Sequence, residues 1–165
     1  MSQPLIVVRD ATMADAESLF TFNQALADET ENRHIPDAVL RQGIIGALEN
    51  NHRLKYWVAC PVDDPSRPIG QLAVSYEWSD WRNGWIWWLQ SVYVDAGWRQ
   101  KGVFRALLGQ VRQSAETAGD VIGLRLYVEH ENAAARATYS RMGFQPAGYE
   151  VLELMWSDKT SRHHG

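Results

Sequence analysis

One passage limits the architecture of this chain more than any other. Trp85–Val94 reads as a long strand, and the polar loop Arg99-Gln-Lys-Gly102 follows it. Phe104, Leu107, Leu108, Val111, Ala115 and Ala118 then recur at helical spacing. Leu124–Val128 alternates as a strand again. Strands joined through a helix cannot make a tight hairpin, so this pair runs parallel and needs helical cover.

The flanking segments extend the pattern. Upstream, Leu5–Arg9 is a short apolar strand, and Thr12 starts a helix with Asp15 in capping-box position. Met13, Ala16, Phe20 and Ala27 give that helix an apolar face. Asp37, after Pro36, caps a second helix with Leu40, Ile44, Ala47 and Leu48 turned inward. Tyr56–Cys60 and Ile69–Tyr76 are strands, and Asn83-Gly84 marks the hairpin turn before Trp85. Downstream, Asn132 caps a short fourth helix that stops at Gly143. Phe144–Trp156 supplies one or two final strands, with Gly148 as a break. The order is β-α-α-β-β-β-α-β-α-β. It predicts an α/β fold: a mixed sheet of six or seven strands flanked by about four helices. A single domain over residues 1–158 and a polar tail over 159–165 are expected.

Composition excludes several function classes. The net charge of −4 argues against general nucleic-acid binding. No apolar run approaches the ~18 residues of a membrane span, and the N-terminus lacks the pattern of a signal peptide. A cytoplasmic location is expected. The single cysteine, Cys60, allows no internal disulfide. His34, His52 and His130 are scattered, His163 and His164 belong to the tail, and no metal site is expected.

The loop before the third helix carries the first chemical signal. Unpaired N–H groups at a helix start, with the helix dipole, bind anions. Gly102 lets backbone approach a ligand closely. Arg99, Lys101, Arg105 and Arg112 are basic, and no acid occurs from Ala96 to Ala115. On these residues alone, a phosphate site and a solvated basic helix face are both open. The ending of a P-loop and the G-x-G-x-x-G of a dinucleotide fold are missing.

A second motif shifts the balance. Asn132-Ala-Ala-Ala135 leads to Tyr139, then to Gly143 and Phe144. With Arg99-x-x-Gly102-x-Phe104 and the strand end Val92-Tyr-Val94, the chain resembles the GNAT superfamily of N-acetyltransferases. That family carries Q/R-x-x-G-x-G/A after its fourth strand and N-x-x-A-x-x-x-Y-x-x-x-G-F after its fifth. The ETENRH segment and the WSDWRNG…WWLQSVYV run look like one small-molecule branch of it.

The resemblance implies that acetyl-CoA is the acyl donor. Its pantetheine arm would bond the backbone of Val92 and Val94. Its pyrophosphate would rest on Gln100, Lys101, Gly102, Val103, Phe104 and Arg105, with Arg99 and Lys101 adding charge. Asn132 would cap its helix and contact the cofactor. Tyr139 would protonate the leaving thiolate, and the Val92 N–H would stabilise the oxyanion. Phe104 departs from the small residue usual in the family. The reading expects its side chain in the core stripe and its N–H toward the phosphate. A strand-four glutamate is also missing: Trp87–Ser91 holds no carboxylate.

The acceptor follows from the family alone: a primary amine of a small molecule, polyamine-like or amino-acid-like. Glu29, Glu77 and Asp80 are candidate substrate-binding residues, and a solvated acidic surface is the competing reading. Five tryptophans between Trp78 and Trp88 either pack the sheet, line an acceptor pocket or form a subunit interface. Adjacent Trp87 and Trp88 point to opposite faces, which raises the expectation of a homodimer. The alternatives are a non-catalytic acyl-CoA sensor of the same fold and a protein N-terminal or lysine acetyltransferase.

Overall fold

The computed structural model describes residue 2 and residues 5–156. Its elements are β1 (Ile6–Asp10), α1 (Ala16–Glu31), α2 (Asp37–Glu49), β2 (Lys55–Pro61), β3 (Gly70–Ser79), β4 (Gly84–Val94), α3 (Val103–Ala118), β5 (Val121–Leu126) and α4 (Ala133–Arg141). The chain divides into two compact units, one up to Arg125 and one from Leu126 onward.

The first unit is built on a sheet in the order β1-β2-β3-β4-β5. The first four strands pair antiparallel in sequence. At the start of β4, Trp85 N–H donates to the carbonyl of Asp120, just before β5, at 2.8 Å. The two strands therefore begin side by side after the α3 crossover, and the sheet is mixed as expected.

Strand alternation sorts the core into two layers. Tyr56, Val58, Cys60 and Ala73 turn to one face, where Leu19 of α1 and Ile44 and Ala47 of α2 cover them. The other face receives α3 through Val103, Leu107, Leu108, Val111 and Ala115. Helix and sheet come close at Gly70, where a Cβ would lie 2.8 Å from Val103 Cγ1 and 3.1 Å from the Tyr93 carbonyl. Gly70 thus lets the first turn of α3 press onto the sheet.

The start of α1 follows the sequence closely. Asp15 Oδ2 accepts from the Thr12 N–H at 2.8 Å, completing the reach-back half of the capping box. The same carboxylate forms a two-pronged pair with Arg9 of β1, at 2.8 and 2.9 Å. Burial pulls the Asp15 carboxyl upward, but the bonds from Arg9 and Thr12 outweigh it and hold the group below its ordinary value.

Several expectations need correction. The sheet has five strands, not six or seven, because residues 144–156 form no strand. Pro146 brings no N–H to a ladder, and Gly148 turns left-handed at φ 79°. Of the predicted face of α1, Ala27 is buried and Ala16 and Phe20 pack against the core, but Met13 is exposed, and Leu19, Phe22 and Asn23 are buried beside them. Pro36 occupies the N-cap of α2, and Asp37 is its first residue. The predicted tail, with His163 and His164, lies outside the described residues.

Candidate active site

The site begins where β4 ends. Asp95 accepts from the Gly97 N–H at 3.3 Å and caps a short 3-10 turn over Ala96–Trp98. The chain then turns through Gln100 (φ 62°) and Gly102 (φ 83°), both left-handed. Gly102 is the N-cap of α3, and its carbonyl accepts the first helical bond, from Ala106 N–H at 3.0 Å. The N–H groups of Val103, Phe104 and Arg105 therefore lie ahead of the helical ladder. A glycine cap offers no side chain to fill that role, and the first turn holds no acid. A 16-residue helix thus directs its positive end into the loop.

Val103, rather than Phe104, opens the buried stripe of α3. Val103 is fully buried and Phe104 half-buried, so the stripe starts one residue earlier than its spacing suggested.

The two loop cations are held close to the backbone. Lys101 Nζ donates to the Gly97 carbonyl at 2.9 Å and lies over the Trp98 ring. Arg99 Nε donates to the Val94 carbonyl at 3.0 Å, and its terminal nitrogen reaches Glu29 Oε2 at 2.7 Å. The hydroxyl of Tyr93 donates to the other Glu29 oxygen at 3.1 Å. Burial and the Glu29 carboxylate both raise the pKa of Tyr93. The end of α1 is thus tied to the β4 end by a residue seventy positions away, a link with no local sequence signal.

Val92 and Val94 are half-buried on β4. Just before Val92 the strand bulges: Gln71 pairs with Tyr93 and Ala73 with Gln90, so Ser91 and Val92 together oppose Leu72. Ser91 is left-handed at φ 50°. No local residue signals this, since serine rarely adopts that conformation.

The three acceptor candidates stand apart, each with a partner. Glu29 holds Arg99 and Tyr93. Glu77 Oε2 accepts from Arg125 at 2.7 Å, and Arg125 lies over the Trp88 ring. Asp80 accepts from the Trp81 N–H at 2.9 Å within the β3–β4 turn. Trp87 meets Trp57 and, edge-on, Tyr76, with ring centres 6.4 and 5.6 Å apart. Both Trp87 and Trp88 therefore find cover within this chain.

The second unit carries the other motif. Asn132 Oδ1 accepts from the Ala135 N–H at 3.1 Å and caps α4. Gly143 follows the helix end at φ 95°, the left-handed stop that its position predicts. Tyr139 is half-buried, and its ring meets Phe144 edge-on at 5.7 Å. Burial raises the Tyr139 phenol above its ordinary value, so it remains protonated at neutral pH.

Comparison with known proteins agrees with the fold. No curated protein matches the chain. A solved structure of a possible acetyltransferase from Clostridium difficile 630 is similar at 37% identity and a TM-score of 0.85, over 93% of this chain and 99% of that one. A predicted acetyltransferase from Clostridium acetobutylicum, solved with acetyl-CoA, shares the fold at 22% identity and a TM-score of 0.72, over 97% of this chain and all of that one. AAC(6')-Iy, solved with the bisubstrate analogue CoA-S-monomethyl-acetylneamine, shares the fold at 17% identity and a TM-score of 0.71, over 92% of this chain and 98% of that one. The profile of the acetyltransferase (GNAT) family matches residues 16–144, and the chain belongs to that family.

Proposed function

We propose that this acetyltransferase moves an acetyl group from acetyl-CoA to the primary amine of a small molecule, by direct attack of the amine on the thioester carbonyl. The observation that carries the reading is the start of α3. Gly102 is left-handed, the cap has no side chain, and the acid-free first turn of the helix opens beside Arg99 and Lys101. That chemistry fits a pyrophosphate. Residues Gln100 to Arg105 would hold it, with the backbone of Val92 and Val94 along the pantetheine arm. Asn132 would contact the cofactor in addition to capping α4. Acetyl-CoA, when bound, supplies an activated thioester carbonyl.

The chain's own groups then divide the work. The neutral amine forms a C–N bond as the carbonyl π pair moves to oxygen, and the Val92 N–H stabilises that charge. Collapse expels the thiolate, and Tyr139 donates the proton it needs. The phenol is protonated at neutral pH, as this role requires. No carboxylate lies on β4 before the bulge, so we assign the proton leaving the amine to water. Glu77 is held by Arg125 and Glu29 by Arg99, so neither charge is left uncompensated for a cationic acceptor.

The test is thiol release from acetyl-CoA across a panel of polyamines, amino acids, aminoglycosides and peptides. Release with a small amine supports the proposal. Tight CoA binding with no release for any acceptor supports a sensor instead. Release with peptides alone supports a protein acetyltransferase.

A further inference from the structure

The β4 bulge rests on a buried polar side chain that the mechanism above does not use. Gln71 on β3 is wholly buried. Its Nε2 donates to the carbonyl of Ser91 at 2.9 Å, while its Oε1 meets no donor. A buried amide that leaves one of its two polar atoms without a partner is costly to keep. So is a serine held left-handed in a strand. The two costs meet at one bond.

Other polar groups converge on the same residue. The Tyr56 hydroxyl, nearly buried, is in hydrogen-bonding contact with the Ser91 side chain. It also accepts from Asn23 Nδ2 at 3.3 Å, and Asn23 is tied to the Leu19 carbonyl at 2.9 Å. A line of polar side chains thus runs through an otherwise apolar layer, from α1 across β2 to the bulge. Ser91 is held at both its hydroxyl and its carbonyl.

The geometry of the peptide unit gives this a consequence. The Ser91 carbonyl and the Val92 N–H belong to one planar unit, and no peptide bond among the described residues is cis. In a trans unit the two groups point in opposite directions. A carbonyl fixed inward toward Gln71 therefore sends the Val92 N–H the other way. We infer that Gln71 is a positioning residue: by holding the Ser91 carbonyl it orients the Val92 N–H that stabilises the oxyanion. The inference rests on the acetyl-transfer reading given above. Gln71 touches neither substrate nor reacting atoms; it acts through the shared peptide plane.

Gln71→Met keeps the side-chain length and removes the donor. The expected result is a fall in kcat of at least threefold, toward the ~10²-fold seen when an oxyanion donor is lost outright. The KM for acetyl-CoA and the Kd for CoA should stay within twofold, since the phosphate loop is untouched. A purely structural Gln71 would lower thermal stability and leave kcat within threefold in the folded variant, and that result overturns the inference. A second measurement covers a variant that does not fold. In the wild-type protein, 15N relaxation should find the Val92 N–H as ordered as those of Leu89 and Tyr93. A Val92 amide measurably more mobile than both overturns the inference. Wild-type protein with no thiol release for any amine would remove the acetyl-transfer reading, while the relaxation measurement still decides whether the peptide is held.

Discussion

Gly102→Val puts the phosphate loop to the most direct test. Gly102 sits at φ 83° and ψ 10°. The left-handed region costs an L-residue roughly 1–2 kcal/mol, and a β-branched side chain more. The variant either bears that strain or relaxes it by turning the peptide at the helix cap. If the strain is borne, the protein loses about 1–2 kcal/mol, or roughly 2–8 °C in Tm for a chain of this length. If the peptide turns, the N–H groups of Val103, Phe104 and Arg105 no longer converge. A hydrogen bond to a charged group contributes about 1.5–3 kcal/mol, so losing one weakens CoA by about tenfold or more. Both routes crowd the approach of the phosphate. Calorimetric titration with CoA should show at least a tenfold rise in Kd. Gly102→Asn separates the causes, because asparagine tolerates the left-handed region: its Tm should stay near wild type, and its CoA affinity should fall between the two. A folded Gly102→Val protein that binds CoA as wild type does would refute the phosphate-loop reasoning.

Three other perturbations address the remaining parts. Tyr139→Phe should lower kcat by about 10²-fold, within the usual range for a general acid, with CoA affinity unchanged. In wild type the alkaline fall in kcat belonging to this phenol should lie above its ordinary value of about 10, because burial raises it, and should vanish in the variant; unaltered turnover would exclude the acid role. Glu29→Gln removes a negative charge that pairs with Arg99 of the loop at 2.7 Å. Losing its repulsion toward the phosphates should make CoA bind measurably tighter at low salt, and the gain should fade at high salt. The Arg99–Glu29 pair is itself half-exposed, so Tm should barely move; unchanged low-salt affinity would place the phosphates away from Arg99. Asp15→Asn should cost about 2–3 kcal/mol at pH 7, since it breaks a two-pronged pair whose carboxylate is nearly buried. The folded pKa of Asp15 is lowered, so its stabilisation is complete above the unfolded value of about 3.9 and is lost as pH falls through the folded value. Denaturant titrations should show the gap between wild type and variant closing below about pH 4, and a gap independent of pH would contradict that linkage.

How much of this was legible in the sequence depended on whether the cause was local. Asn132 and Gly143 bound α4 as read, because a cap and a left-handed stop are one-residue events. The RQKG loop and α3 were legible for the same reason, as a glycine followed by a 3.6-residue apolar period. β5 begins at Val121 rather than Leu124, since its start is set by the bond between Trp85 and Asp120, which belongs to two strands at once. The Arg99–Glu29 link joins residues seventy positions apart, and neither neighbourhood encodes it. The Ser91 bulge was hidden differently. Serine is a poor left-handed residue, and what holds it there comes from Gln71 and Tyr56 on two other strands.

Phe104 departs from the family motif, yet α3 still starts at Val103 behind a left-handed Gly102. The family places a small residue at this point, and on that pattern alone a phenylalanine argues against a phosphate loop. Here the residue pressed onto the sheet at the start of α3 is Val103, and the room for it is provided by Gly70, where any Cβ would meet Val103 Cγ1 at 2.8 Å. The helix start is therefore fixed by a contact between Gly70 and Val103, not by the size of residue 104. Phe104 sits one position, or about 100°, further round the helix and is only half-buried. Its N–H still belongs to the first turn, ahead of the helical ladder that Ala106 opens. A glycine at 70 and a valine at 103 thus do for the backbone what a small residue at 104 would otherwise be needed to do.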